Sequence, residues 1–287
     1  GPLKYNGVVY NEMKGAFSSP DEVLEREIMN HLFPDTTYGC ESGGDPKNIP
    51  DLAYENFLNF HRTYYHPSNS YIYLYGNMDM EEKLAFLDEH YLSHFDYLDV
   101  DSVIQEQKAF GACRDVTLEY PVAENEGEED NTYLSYNMVV GNAADSQMAM
   151  AFEVLDYALL SAPGAPLKQA LLDVKAGKDV YGSYDDGILQ PSFTVIAKGS
   201  NPDRKEEFVS VIRQVLGDIV KNGIDRKAVE AGINYFEFRY READFSSYPK
   251  GLMYSLDILG DWLYEKGNPF AQVQQLTVFE KLKKAVN

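Results

Sequence analysis

Apolar positions recur at helical spacing in most of the chain and at alternating spacing in a few short stretches. Ser19-Pro20-Asp21-Glu22 supplies an N-cap, a proline at the first helical position and a carboxylate three residues after the cap, and Val23, Glu27 and His31 follow one above another. This predicts a helix to about Leu32. Turn residues from Pro34 through "SGGDPKNIP" precede a second helix, about Ala53 to Tyr64, with Phe57, His61 and Tyr64 on one side. "SYIYLYG" reads as a strand, its tyrosines Tyr71, Tyr73 and Tyr75 alternating with Ile72 and Leu74. Met80 to His94 returns to helix.

From Asp99 to Arg114 the periodicity fades, which marks a linker. The period then becomes two. Val116, Leu118 and Tyr120 alternate, as do Leu134, Tyr136, Met138 and Val140, with the acidic "ENEGEED" between them as a solvated hairpin loop. Asp145 is placed to cap a helix carrying Met148, Phe152, Leu155 and Leu159, and a short helix spans about Leu167 to Lys175. "DVYGSYD" and "SFTVIAK" read as strands joined through Asp186-Gly187. A helix opening at Asn201-Pro202 carries Phe208, Val211, Ile212, Val215 and Ile219 and stops at Gly223. Another begins near Asp225 with Val229, Ile233, Phe236 and Tyr240, and a last one holds Leu252, Leu256, Leu259 and Leu263. Hairpin strands among paired helices imply an α+β fold of antiparallel sheets covered by helices on one face.

Composition narrows the function. The 287 residues allow one large domain or two ordinary ones, and 44% hydrophobic residues suffice for a core. With 46 acidic against 25 basic residues the formal charge is −21, which repels phosphates, excludes nucleic acid and favours cationic partners. No apolar run approaches a membrane span and no charged-then-apolar leader is seen, so no membrane partner and a cytoplasmic location are expected. Gly1-Pro2-Leu3 reads as a remnant of tag removal. Cys40 and Cys113 lie far apart and read as ordinary thiols of a reducing compartment.

Candidate chemistry is sparse. GxGxxG, P-loop and GxSxG patterns are absent. His61 and His66 form one close pair; His90 and His94 form another, at i, i+4, but Ser93 stands where the HxxEH pattern needs glutamate. Asp185-Asp186-Gly187 has turn chemistry, and Glu124 to Asp130 lacks EF-hand spacing. One carboxylate raises a question: in "YNGVVYNEMKG" Glu12 follows two valines and a tyrosine, and a charge beside apolar groups costs free energy unless paired. Spacing alone gives Glu12 the plain reading of a solvent-facing glutamate.

"GVVYNEMKGAFSSPDEV", "PDTTYGCESGGDPKNIPDL" and "FHRTYYHPSNSYIYLYGN", in this order, resemble the presequence protease and falcilysin branch of the pitrilysin and insulinase zinc peptidases. The resemblance implies that residues 4–98 are the C-terminal part of a first, catalytic domain, 99–114 a linker and 115–287 a second, noncatalytic domain. It also implies that Glu12 is a zinc ligand, whose partner cation would answer the question above. In this family an HxxEH helix supplies two histidine ligands and the general-base glutamate for hydrolysis of unfolded peptides by metal-activated water. No HxxEH occurs in the 287 residues. A single glutamate does not hold zinc at useful affinity, so the complete enzyme is expected to carry Zn²⁺ and this segment, by itself inactive, none. The implied partners are peptide substrates, basic ones by charge, and the remaining segments of a parent chain. The alternative is a natural noncatalytic subunit of the same fold, serving as a structural or peptide-binding partner.

Overall fold

The computed structural model describes residues 1–123, 126–243, 245–264 and 268–286. Its centre is a three-stranded antiparallel sheet in the order β1-β3-β2, with β1 Thr132–Val139, β2 Asp179–Asp185 and β3 Ser192–Ser200. Register pairs Tyr136 with Val195 and Gly182 with Val195 on either side of β3. Alternation sends Phe193, Val195 and Ala197 into one core with Leu134 and Val180. Helix α5 (Ser146–Asp156), its π-helical continuation Tyr157–Ser161, α6 (Pro166–Asp173) and α7 (Lys205–Asn222) cover that face. Asp145 caps α5 by accepting the Met148 amide at 3.0 Å, and Gly223, at φ 88°, ends α7 in a conformation that disfavours other residues. A second core joins Met150 and Val154 of α5 to Val229 and Ile233 of α8 (Arg226–Glu242) and Val278, Phe279 and Leu282 of α10 (Leu276–Val286). The α+β arrangement expected from the sequence is therefore present, with α10 as an added helix.

The opposite face of β3 is covered too. Thr194 and Ile196 are buried there, and α2 (Pro20–Leu32) lies across it. Asp21 in the first turn of α2 accepts Lys198 Nζ at 2.7 Å and lies 3.4 and 3.5 Å from the Tyr133 and Tyr181 hydroxyls. These bonds hold the Lys198 ammonium above its ordinary pKa, Asp21 contributing most.

Three expected elements differ. Tyr71–Tyr75 is extended but pairs with no strand among the described residues, because the only sheet lies elsewhere; rings occupy its flanks instead, with Tyr71 against Trp262 at 4.7 Å. Val116–Tyr120 likewise forms no ladder. It is tied beside β1 by the Tyr120 hydroxyl, which donates to Asn131 O, and by the Tyr120 ring standing edge-on to Tyr133 at 5.9 Å. The "ENEGEED" loop therefore closes no two-stranded hairpin, and its residues 124 and 125 lie outside those described. The helix expected to reach His94 ends as α4 (Met80–His90), and a separate 3₁₀ turn carries Leu92–His94.

Gln107, in the stretch 99–114 expected to be a linker, ties Asp35 to Gln190 in the β2–β3 turn. Gln107, 6% exposed, accepts the Asp35 amide at 2.9 Å and donates to Asp35 Oδ2 at 2.7 Å. Its backbone exchanges two further bonds with the Gln190 side chain, at 2.5 and 3.2 Å. Gln107→Ala keeps the backbone bonds but removes both side-chain bonds to Asp35, which is exposed and exchanges them for water. The expected outcome is a loss of about 1 kcal/mol, read as a lower urea midpoint at unchanged slope.

Candidate functional site

Glu12 sits on α1 (Val8–Ala16), a helix with no buried residue. Gly7 opens α1 in extended backbone without a side-chain cap, the Asn11 amide bonds Gly7 O at 2.9 Å, and Asn11 Nδ2 reaches back to Asn6 Oδ1 at 3.0 Å. Lys14 lies in the last turn, where a cation suits the exposed carbonyls. Ser18 then donates to Gly15 O at 2.6 Å, and Ser19 caps α2 by accepting the Glu22 amide at 3.2 Å. Two short helices thus follow each other across a turn.

Between them lies an open groove of about 610 Å³ whose wall includes Met13, Phe17, Arg26, Met29 and Tyr38. Met13 packs so closely on Gly43 that a Cβ there would meet its Sδ at 2.3 Å. The Arg26 guanidinium lies 4.3 Å from the centre of the Phe17 ring and pairs with Glu27 at 2.7 Å. Glu12, one residue before Met13, is exposed, and no hydrogen bond or ion pair engages its carboxylate among the described residues. Val8 and Val9 are exposed as well, so the apolar surroundings suggested by the sequence are not assembled here.

The described residues gather no group of three His, Cys, Asp or Glu able to hold a metal ion. Zinc takes four ligands in structural sites and three plus water in catalytic ones, so one carboxylate does not make such a site. Residues present here do not by themselves fit the cofactor, and no chemical step can be built on them.

The other sequence candidates have structural partners. His61 stacks on Tyr65 at 4.7 Å; His66 accepts the Ser68 amide at 3.2 Å and meets Phe95 edge-on. His90 packs on Phe86 at 4.5 Å, and the break between α4 and the following turn keeps His94 from continuing its helix. Asp185 accepts the Gly187 amide at 3.0 Å, as its turn chemistry predicts. Cys40 and Cys113 are free thiols. Sequence reasoning missed Asp21, read only as part of a helix start, and Gln107, which sits in the aperiodic linker. No local signal marks either one, since their partners lie 177 and 72 residues away.

Comparison with known proteins places this geometry in context. The family described as "Peptidase M16 inactive domain" matches residues 51–236. Protein HypA of Clostridium perfringens is 48% identical over 284 residues, 99% of this chain and 29% of its own length. Presequence protease 1, chloroplastic/mitochondrial, of Arabidopsis thaliana is 36% identical over 285 residues, 98% of this chain and 26% of its own length. The chain therefore spans less than a third of these relatives. Among solved structures, a putative M16-like peptidase from Alicyclobacillus acidocaldarius superposes with a TM-score of 0.65 at 17% identity, over 97% of this chain and 65% of the other. A peptidase M16 inactive domain from Pseudomonas fluorescens gives 0.64 at 19%, over 97% and 66%. At these identities the structures support the fold.

Proposed function

We propose, from the premise that the chain belongs to the peptidase M16 family and carries its inactive domain, that it is a segment of a zinc metallopeptidase that hydrolyses unfolded peptides. In this reading Glu12 is one metal ligand, the remaining ligands and the general base come from elsewhere in a longer polypeptide, and this segment alone is inactive. The observation that carries the reading is the likeness to a presequence protease over 98% of this chain but only 26% of that protein. The exposed, unengaged carboxylate of Glu12 on a helix beside an open groove is compatible with a ligand that meets its metal across an interface. A formal charge of −21 favours basic peptides as substrates.

Zinc titration tests it. The chain alone is expected to bind zinc without defined stoichiometry and to leave an unstructured basic peptide uncut, whereas a chain extended upstream to include HxxEH binds one equivalent and cleaves. Tight one-to-one zinc in the short chain would mean that the ligands are other residues.

The match to an inactive domain over 51–236 favours a second reading, a noncatalytic subunit that binds peptide or supports a separate active chain. An in-frame HxxEH upstream of Tyr5 in the gene decides for the first, a start codon just before it for the second.

A further inference from the structure

Helix α9 (Lys250–Leu263) bridges two parts of the molecule while burying little of itself; Ile258 is its buried residue. On one side it meets the extended segment Tyr71–Tyr75. Trp262 packs on Tyr71 at 4.7 Å, and Gly251 lies so near Tyr75 that a Cβ would meet its ring at 2.1 Å. On the other side it meets the turn between β2 and β3. Tyr264, just past its end, lies 2.5 Å from the Tyr38 hydroxyl, which accepts the Leu189 amide, and 3.5 Å from Gly187 O.

This second junction is built from like charges. Asp257 and Asp261, four residues apart, share one face of α9; Tyr264 contacts Gly187, the residue after Asp186, and the Asp186 charge acts on both aspartates. From the opposite side α5 contributes Glu153 and Asp156, with Phe152 stacked on Tyr184 at 5.6 Å to hold the end of β2 against α5. Asp156 Oδ1 and the Tyr184 hydroxyl oxygen are buried there without a hydrogen-bond partner among the described residues. Asp185 from β2 and Asp145 from the start of α5 add further negative charge. Arg239 of α8 acts on Glu153, whereas the charged groups acting on Asp186, Asp257 and Asp261 among the described residues are all carboxylates.

We propose that α9 is a pH-sensitive strap: it clamps Tyr71–Tyr75 to the β2–β3 turn while Asp186, Asp257 and Asp261 are protonated, and their ionisation loosens it. Burial is the main cause that raises all three carboxyls above the ordinary range, outweighing the Gln272 amide that donates to Asp261 at 2.9 Å; repulsion from one another or from Asp185 adds to it, and Glu153 is pushed up to about 7. The docked state thus binds protons more tightly than the undocked state. Docking is therefore strongest below the ordinary carboxylate pKa and weakens as pH rises through the raised values. The Tyr73 hydroxyl, raised by burial with Tyr75 and Tyr254 adding to it, stays neutral throughout this interval. The strap sets how firmly residues 71–75 are held to the sheet unit.

Trp262, the single tryptophan of the chain, gives the readout. Acrylamide quenching of its fluorescence at fixed ionic strength is expected to rise about twofold as pH is raised from about 4, the ordinary carboxylate value, to about 8, with unchanged far-UV circular dichroism. Asp186→Asn and the pair Asp257→Asn/Asp261→Asn should flatten that rise, and Asp218→Asn on α7 should not. Quenching independent of pH in the unaltered chain overturns the strap, as does a rise of full amplitude in both sets of variants. Should circular dichroism show a variant unfolded, hydrogen exchange of the unaltered chain decides. Protection of residues 250–263, corrected for intrinsic rates, must fall with pH relative to α7, and a constant ratio overturns the proposal.

Discussion

Glu12→Gln in the longer polypeptide of the proposed function is expected to abolish stoichiometric zinc binding and to lower peptide hydrolysis by more than about 100-fold. Changes that merely disturb the residues behind a metal ligand cost roughly 10–100-fold, and replacing a ligand oxygen that carries charge removes more. In the 287-residue chain by itself the same substitution should do almost nothing. Glu12 is exposed, on a helix without buried residues and without an ion pair among the described residues, so its loss belongs with surface substitutions that stay within about 0.5 kcal/mol. The contrast is informative because a structural glutamate would give the opposite ranking. Metal content by elemental analysis and kcat of the long form, beside the Tm of the short form, make the comparison. Zinc and turnover retained in the long form would remove Glu12 from the metal site.

Phe33→Ala is expected to cost about 3–5 kcal/mol, the range for truncating a buried aromatic ring. Phe33 is fully buried, and it is the buried residue of the segment 1–98. Its ring meets Tyr38 edge-on at 5.8 Å, and Tyr38 in turn bonds Leu189 and Tyr264, so the ring underlies the joint with the β2–β3 turn. The cost should therefore fall on docking of the first segment, while the sheet core around Val180, Val195, Phe208 and Ile212 stays closed. Hydrogen exchange resolves this. Protection in α2 should collapse by more than about 100-fold, equivalent to about 3 kcal/mol, while α7 keeps its protection. Equal loss in both helices would mean that the two parts unfold as one unit and that Phe33 is no local anchor.

What could be read in advance follows from which interactions are local. Ser19, Asp145 and Gly223 act on backbone groups within a few residues, and the helices they start or stop stand where their patterns put them. β2 and β3 are legible for the same reason: their alternation is bounded by a turn that Asp185 closes locally. α1 was not announced, since nothing in it is buried and Gly7 offers no side-chain cap. Tyr71–Tyr75 and Val116–Tyr120 have strand chemistry but no ladder, because pairing requires a neighbour that short-range pattern does not specify. For the candidate site the limits were the same. "NEMKG" carries the resemblance to zinc peptidases, yet a metal site is a convergence of side chains, and the described residues bring none to Glu12.

By itself, then, the chain's order of residues determined the helical stripes, the caps, the β2–β3 hairpin, the strongly acidic surface and the M16 motifs, all of which depend on neighbours in sequence or on composition. Tertiary structure alone decided that α2 covers the second face of β3 through Asp21 and Lys198, that Gln107 locks Asp35 to Gln190, and that Tyr264 at the end of α9 meets Gly187 in the β2–β3 turn. Each of these joins groups remote along the chain, and such contacts form only when packing of the apolar cores has already set the distances between them.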